Sequence, residues 1–440
     1  MATLRSAVSW PNDKTYLFHD DDTYDRYDSV TGVREDSGLP ISRWPGLPRS
    51  PDAFVWWGAG KAYAFTGSTY LRYDAPSDRV DPEYLPPHDP FTVEGGWPGL
   101  PTGSGGGPDW RTGVDAAVNW GNGKVYLFKG DSYVRYDITA DRVDPGYPRP
   151  IAGNWTGLFP DGVDAAAHPG GRFVYFFRGG QFQRFDVDAD RVDASGPLDA
   201  SFRLAPTPSG ALAPARLLTP VQANRLMADL IRRGKLALKS PAFVDGPAGI
   251  VAPAPGQRVV VSPPSFGGIR YTNQINPASA VIDNLDQRML IALYRLTLWI
   301  NSSAPDVTEL LHLGIGHGNG PANDCHNEGR ALDLSGIVGT SGGAAFTRSV
   351  KAHWGNLPRP PGVTVRIDPA VDPLGFGLFS TAFRCATYEC EANGIGPANK
   401  WPMPDLGGSG FVIYPDYGGA VALRNAHQDH FHVQVGVTRS

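Results

Sequence analysis

Over roughly the first two hundred residues, aromatic and aliphatic side chains alternate with polar ones in short runs bounded by Gly and Asp. Period-two alternation between tight turns predicts half-buried antiparallel strands. The pattern repeats. Lys14-Thr15-Tyr16-Leu17-Phe18 is followed by Tyr24-Asp25-Arg26-Tyr27-Asp28, and Lys61-Ala62-Tyr63-Ala64-Phe65 by Tyr70-Leu71-Arg72-Tyr73-Asp74. Lys124-Val125-Tyr126-Leu127-Phe128 precedes Tyr133-Val134-Arg135-Tyr136-Asp137, and Phe173-Val174-Tyr175-Phe176-Phe177 precedes Phe182-Gln183-Arg184-Phe185-Asp186. Each unit after the first opens on a short strand, at Asp52-Ala53-Phe54-Val55, Asp115-Ala116-Ala117-Val118 and Asp164-Ala165-Ala166-Ala167. Three units continue into Asp-Arg-Val-Asp, ending at Asp81, Asp144 and Asp193. One supersecondary unit used four times, with no unit able to bury its aromatic face alone, predicts four small sheets arranged radially as a propeller over residues 1–203.

The period then changes. Residues 204–218 are rich in Pro and Ala and read as a semi-rigid linker with little capacity for a core. Beyond it, apolar residues recur at three- and four-residue steps. Thr219 is placed as an N-cap, Pro220 in the first turn, Gln222 at the capping-box position and Gly234 as the stop of one helix. Asn276 and Pro277 are expected to start a second, carrying Ile282, Leu285, Met289, Leu293, Leu296 and Ile300. Residues 307–315 read as a strand, and a helix is expected from about Ala344 to Trp354. Helices before a small mixed sheet make residues 219–440 an α+β domain, and the whole chain multidomain.

Composition narrows the partners. A formal charge of −5 over 440 residues, with no Lys/Arg run, argues against nucleic acid or an anionic membrane surface as the main partner. No apolar run is long enough to span a bilayer, and a monomer is expected. The first residues lack the apolar segment of a secretory signal, so the expectation is a cytoplasmic chain, one exported by another route, or a mature form. Cys385 and Cys390 are close enough in sequence for a short-loop disulfide, and Cys325 is read as a small buried thiol.

The N-terminal repeats resemble hemopexin repeats, in the Asp-Ala-Ala openings and in the Trp-Pro-Gly-Leu-Pro closings at 44–48 and 97–101. The resemblance implies an all-β four-bladed propeller that binds an unknown ligand, with a central channel able to hold a cation such as Ca2+. Asp52, Asp115 and Asp164 then either surround that ion or merely cap turns. Ser6 stands where the other units have Asp, and His19, His88 and His168 are isolated and expected to face solvent.

The chemistry lies in two distant motifs. Cys325-His326-Asn327-Glu328-Gly329-Arg330-Ala331-Leu332-Asp333 puts an imidazole and a carboxylate seven residues apart with Gly329 between, so a loop can lead into a strand that offers both to one ion. Asp429-His430-Phe431-His432 places two imidazoles on one face of an extended strand. Three nitrogen or oxygen ligands and one open position make a catalytic zinc site.

HxxGxAxD followed far downstream by an acid three residues before a histidine resembles the superfamily of D-alanyl-D-alanine metallopeptidases, lysostaphin-type enzymes and penicillin-insensitive murein endopeptidases. The resemblance implies a zinc peptidase acting on bacterial cell-wall peptidoglycan, with His326, Asp333 and His432 as ligands to Zn2+. It implies Asp429 as the general base and His430 as the group that stabilises the charged intermediate. Two departures bear on this. Residues 314–320 carry no Arg to hold a terminal carboxylate, which favours endopeptidase over carboxypeptidase action. His427, His430 and His432 form an HxxHxH run, so His430 with His427 assisting is an alternative ligand arrangement. An extended strand would also put Asp429 on the face opposite His430 and His432, requiring a bend before it. The other reading is a binding or toxin-type protein in which the propeller carries the function and the zinc domain is structural. Loops 241–273 and 386–410 are expected to shape specificity.

Overall fold

The computed structural model describes residues 2–103, 106–247, 249–303, 306–355, 367–390, 412–416 and 421–436. It divides into two compact units, Met1–Leu212 and Ala213–Ser440.

The first unit is four antiparallel sheets of strands consecutive in the chain. Their first strands are Leu4–Trp10, Ala53–Gly58, Ala116–Asn119 and Ala165–Ala167. Each of these adjoins the next, and Ala165–Ala167 adjoins Leu4–Trp10. The recurring charged residues explain how each sheet coheres. Lys14 donates to Asp28 (2.8 Å) and Glu35 (2.6 Å) while Arg26 donates to Glu35 (3.0 Å). Lys61 and Arg72 converge in the same way on Asp81, and Lys124 and Arg135 on Asp144. In the fourth sheet Arg172 replaces the lysine, bonded to Asp186, and Arg184 meets Asp193. The Lys, Arg-aromatic-Asp and Asp-Arg-Val-Asp signatures are therefore one ion network across successive strands.

The Trp-containing closings join neighbouring sheets. Pro45 O accepts the Val80 N–H (2.9 Å), Pro98 O that of Val143 (3.0 Å) and Thr156 O that of Val192 (2.9 Å). Gly46 has φ +91 and lies so near Val80 that a Cβ would come within 2.7 Å of it, which is why this turn takes glycine. The indole of Trp44 is buried among Trp10, Tyr16, Phe18, Phe54 and Tyr73.

Residues 204–218 do not behave as a linker poor in core contacts. Leu204 is buried with Phe202, Tyr27 and Tyr175, and its N–H donates to Gly32 O (3.0 Å). Within the second unit, Ala215 and Leu218 are buried and the Ala215 N–H donates to Glu389 Oε2 (2.8 Å). Leu204, Ala211, Ala215 and Leu218 of this stretch are buried, while Leu217 is exposed. His88 is exposed, but His19 is not solvent-facing as expected, since its Nε2 lies 3.7 Å from Asp25. Nor is His168, whose two ring nitrogens each face a carbonyl, of Asn119 and of Gly171, at 3.2 Å.

The second unit combines helices with a seven-stranded sheet in the order Ser265–Phe266, Ile269–Asn273, Val307–Ile315, Ala331–Ser341, Phe431–Gln434, Val412–Ile413, with Ala344–Ser349 also paired to Ala331–Ser341. Ile269–Asn273 and Val307–Ile315 are parallel. The helix Pro220–Arg232 forms with a capping box between Thr219 and Gln222. The second helix starts later than expected, at Gln287 and not Pro277. Ile282–Leu285 is instead a strand paired with Val259–Val261, and Asn284, at φ +52, cannot propagate a right-handed helix. The expected helix at 344–354 is likewise replaced by the strand Ala344–Ser349 and a single π turn at Lys351–Gly355. Gly342 and Gly343, both at positive φ, form a two-residue hairpin turn that commits the chain to pairing with Ala331–Ser341. Of the loop 386–410, residues 391–410 lie outside the described residues. Among the described residues no helix is long and apolar enough to cross a membrane.

Asp25 offers a test of the first unit. Burial opposes its charge, but the neighbouring His19 imidazole, the Gly38 N–H and Ser37 outweigh it and hold the carboxyl at about 2, against 3.8 ordinarily. A depressed carboxyl pKa contributes stability above its unfolded value and loses it as pH falls through the folded one. Asp25→Asn is expected to cost about 2 kcal/mol at pH 7. The difference from wild type should shrink between about pH 4 and pH 2 in denaturant unfolding followed at several pH values.

Candidate metal centre

Two adjacent strands of the larger sheet set the site. Ala331–Ser341 and Phe431–Gln434 pair antiparallel with Asp333 directly opposite His432 and Leu334 opposite Phe431. Side chains directly opposite on such a pair share a face, with Cβ atoms about 5 Å apart. His326 arrives from the preceding loop. Gly329, at φ +68, makes the crossing, and a Cβ there would fall 1.8 Å from Asn284 O, so only glycine fits. The Asn284 carboxamide donates to Gly316 O (2.6 Å) and Asn327 O (2.8 Å), and Asp324 Oδ1 accepts the His326 N–H (2.9 Å). These bonds hold the loop so that the imidazole turns toward the strand pair.

Three atoms converge. His326 Nε2 is 3.2 Å from Asp333 Oδ1 and 3.2 Å from His432 Nδ1, and His432 Nδ1 is 2.9 Å from Asp333 Oδ1. Donors on a tetrahedral zinc ion with bonds near 2.0–2.1 Å stand about 3.3 Å apart. The donor set and its spacing thus fit such an ion. Among the described residues this is the His/Cys/Asp/Glu group of three whose ligand atoms lie close enough together to share a metal. Burial disfavours the Asp333 charge, but hydrogen bonds from His326 and His432 overcome that and hold its carboxyl far below the carboxylate range. Burial works against a charged His432, and the hydrogen bond and charge of Asp333 outweigh it, raising its pKa.

The remaining residues of the second motif lie around this triangle. The strand begins only at Phe431, and Asp429 and His430 occupy the bend before it. His430 Nε2 is 3.6 Å from Asp333 Oδ1, while its Nδ1 is 2.7 Å from Asp429 Oδ1. Asp429 thus stands behind His430, half exposed. The His427 ring centroid is 4.6 Å from that of His430 and 5.6 Å from that of His432. Cys325 is buried and outside the donor group. Cys385 and Cys390, at the end of the helix Pro373–Glu389, are not joined by a disulfide.

Two neighbours escaped the sequence reading. Gln434 Oε1 is 3.0 Å from His432 Nε2, and the period-two alternation from His432 was the available signal. His312, on Val307–Ile315, is buried, which pushes its pKa down to about 4, and it interacts electrostatically with Asp333 and His326.

The acidic residues of the repeat unit are differently employed. Asp52, Asp115 and Asp164 each accept a backbone N–H from a hairpin turn of their own sheet, at Gly67 (2.7 Å), Gly130 (2.8 Å) and Gly179 (2.8 Å). Asp52 also meets Arg5 at 2.8 Å. These bonds are turn caps, and the three carboxylates form no metal-ligating group among the described residues.

Comparison with known proteins bears on the first unit. Residues 114–158 match the Hemopexin family model. Matrix metalloproteinase-25 of Mus musculus is 53% identical over 45 residues, which is 10% of this chain and 7% of that protein. Matrix metalloproteinase-21 of Mus musculus is 32% identical over 126 residues, 27% of this chain and 20% of that protein. The likeness to these relatives lies in their hemopexin regions, and the chain spans a fifth of their length or less. The cow pea hemopexin-fold protein CP4 is 22% identical, covering 45% of this chain and 94% of that one with a TM-score of 0.37. The seed albumin LS24 of Lathyrus sativus is also 22% identical, covering 44% and 92% with a TM-score of 0.38. The first unit carries hemopexin-like repeats.

The loop crossing can be tested directly. Gly329→Ala forces a left-handed backbone on a residue with a Cβ and drives that atom into Asn284 O. The strained backbone alone is expected to cost about 1–3 kcal/mol, and displacement of His326 should lower zinc content. Thermal unfolding and elemental analysis of the purified variant check both.

Proposed function

We propose that the second unit is a zinc-dependent peptidase and that the first is a four-bladed propeller serving as its binding or targeting module. The observation carrying this reading is the triangle of His326 Nε2, Asp333 Oδ1 and His432 Nδ1, with mutual separations of 2.9–3.2 Å and the Nε2 of His430 beside it. The cyclic order in which the first strands of the four sheets adjoin supports the propeller. The likeness to proteins named matrix metalloproteinases lies in their hemopexin regions, so it bears on the binding module and not on the catalytic one.

His326, Asp333 and His432 would hold the ion, which supplies a Lewis acid and a bound water that is acidic near neutrality. The protein's own contribution centres on His430. Asp429 accepts the Nδ1–H of the neutral ring, leaving the Nε2 lone pair turned toward the centre. That nitrogen is placed to take a proton from the nucleophile and to hand it to the departing amine. While it holds the proton it can donate to the oxygen that becomes negative, and Asp429 stabilises the resulting imidazolium. Asp429 acts in this scheme through His430, as a positioning residue. With no Arg in residues 314–320 to hold a terminal carboxylate, internal peptide bonds of peptidoglycan crosslinks or stems are the substrate class we assign.

Purified protein incubated with peptidoglycan sacculi, and separately with a general protein substrate, should release fragments from the sacculi in a chelator-sensitive manner. No chelator-sensitive release from either substrate would sink the peptidase reading. His432→Ala should lose zinc, whereas His430→Ala should keep zinc and lose turnover by about 10²–10⁴-fold. Asp429→Asn should keep zinc with a smaller loss. A larger loss in Asp429→Asn than in His430→Ala would return the role of base to the carboxylate.

A further inference from the structure

We infer that Gln434 is a positioning residue that fixes which nitrogen of His432 faces the metal centre. This rests on the metal-centre reading above and deepens it. Gln434 is 3% exposed and follows His432 by two residues on the strand Phe431–Gln434, so both side chains lie on one face. Its Oε1 is 3.0 Å from His432 Nε2, and its Nε2 donates to Gly436 O at 2.9 Å.

The orientation of the carboxamide follows from what each partner can do. A backbone carbonyl only accepts, so Gly436 O takes the NH2 end and turns the amide oxygen toward His432. The amide oxygen also only accepts, so His432 Nε2 must carry the hydrogen. In the neutral ring the lone pair is then on Nδ1, the nitrogen that sits 2.9 Å from Asp333 Oδ1 and 3.2 Å from His326 Nε2.

The brace is itself anchored. Arg330 Nη1 donates to Val435 O (2.8 Å) and the Val435 N–H donates to Arg330 O (2.9 Å), so the chain that presents the Gly436 carbonyl is tied to the start of the Asp333 strand. His326 has no equivalent. Its Nδ1 is buried and makes no hydrogen bond among the described residues. The chain therefore keeps a hydrogen on Nε2 of His432, so that Nδ1 is the nitrogen this ring can offer an ion, and no second bond of this kind holds His326 Nδ1 among the described residues. Partners that orient a ligand histidine in this way are worth about 10- to 100-fold in metal affinity.

The test uses the full chain, zinc and a competing chromophoric chelator. Gln434→Leu, folded by circular dichroism, should bind zinc about 10- to 100-fold more weakly than wild type. Gln434→Glu keeps an acceptor against His432 Nε2 and should retain most of the affinity. Nitrogen-15 NMR of the histidine rings in the zinc-loaded wild type should show His432 coordinated through Nδ1 with Nε2 protonated. Unchanged zinc affinity in folded Gln434→Leu would overturn the proposal, as would a loss in Gln434→Glu as large as in Gln434→Leu. So would coordination through Nε2 in the wild type, a measurement that stands even if the Leu variant does not fold. Zinc retained by His432→Ala would instead sink the metal-centre reading itself.

Discussion

The antiparallel register that sets Asp333 opposite His432 is the constraint on which the centre depends. A slip of one residue between these strands would send one of the two side chains to the other face of the sheet and dissolve the donor triangle. The register is pinned from outside the site: Arg330 bonds to Val435 O at one end, and Phe431 is buried opposite Leu334 toward the other. Once the register is fixed, a carboxylate and an imidazole face each other at hydrogen-bond distance. Only the third donor has to be delivered by a loop. Burial penalises the Asp333 charge, and the two imidazoles offset the penalty, so the same atoms that suit a cation also satisfy one another.

The repeat unit solves a different problem with similar residue types. Its carboxylates are occupied by lysine, arginine and turn N–H groups, and in the third sheet Lys124 is almost fully enclosed between Asp137 and Asp144. Such a cation, buried and paired, is costly to break by removing one partner. The pattern also explains why the signatures recur together. The Val of Asp-Arg-Val-Asp in one sheet docks on the Trp-Pro-Gly or Trp-Thr-Gly turn of the sheet before it, while the flanking Asp completes the ion network of its own sheet. Asp333 acquires its distinct character because imidazoles, and not cations or turn amides, stand beside it.

Much of this was legible in the residues. Four repeats, the strand at Val307–Ile315, the capping box at Thr219 and the pairing of the His326 and His432 motifs rest on local periodicity or on spacing along one strand. What escaped was decided between distant segments. Ile282 and Leu285 suit a helix face and a strand equally, and pairing with Val259–Val261 chose between them. Gly342-Gly343 was a readable hairpin signal that the apolar spacing after it obscured. His312 gained its importance only when the sheet brought it near Asp333 and His326, whereas Gln434 lay two residues beyond His432 on the same strand face. The bend at 429–430 was required by strand geometry, but the side of His430 on which Asp429 would lie was not.

That bend divides the centre into two parts with different physical demands. The atoms that would hold an ion lie on paired strands and a clamped loop, where burial and register fix their positions. Asp429 and His430 lie just before the strand, and the Asp429 side chain is 47% exposed while that of His430 is 11% exposed. A group that exchanges protons with its surroundings needs solvent on one side and fixed geometry on the other. In the scheme proposed above, a buried ring braced by an exposed carboxylate would supply both: Asp429 is open to solvent while the other nitrogen of His430 lies toward the centre. Placing the carboxylate on the outside also keeps a second negative charge on the far side of His430 from Asp333, a half-buried carboxylate that two imidazoles already face.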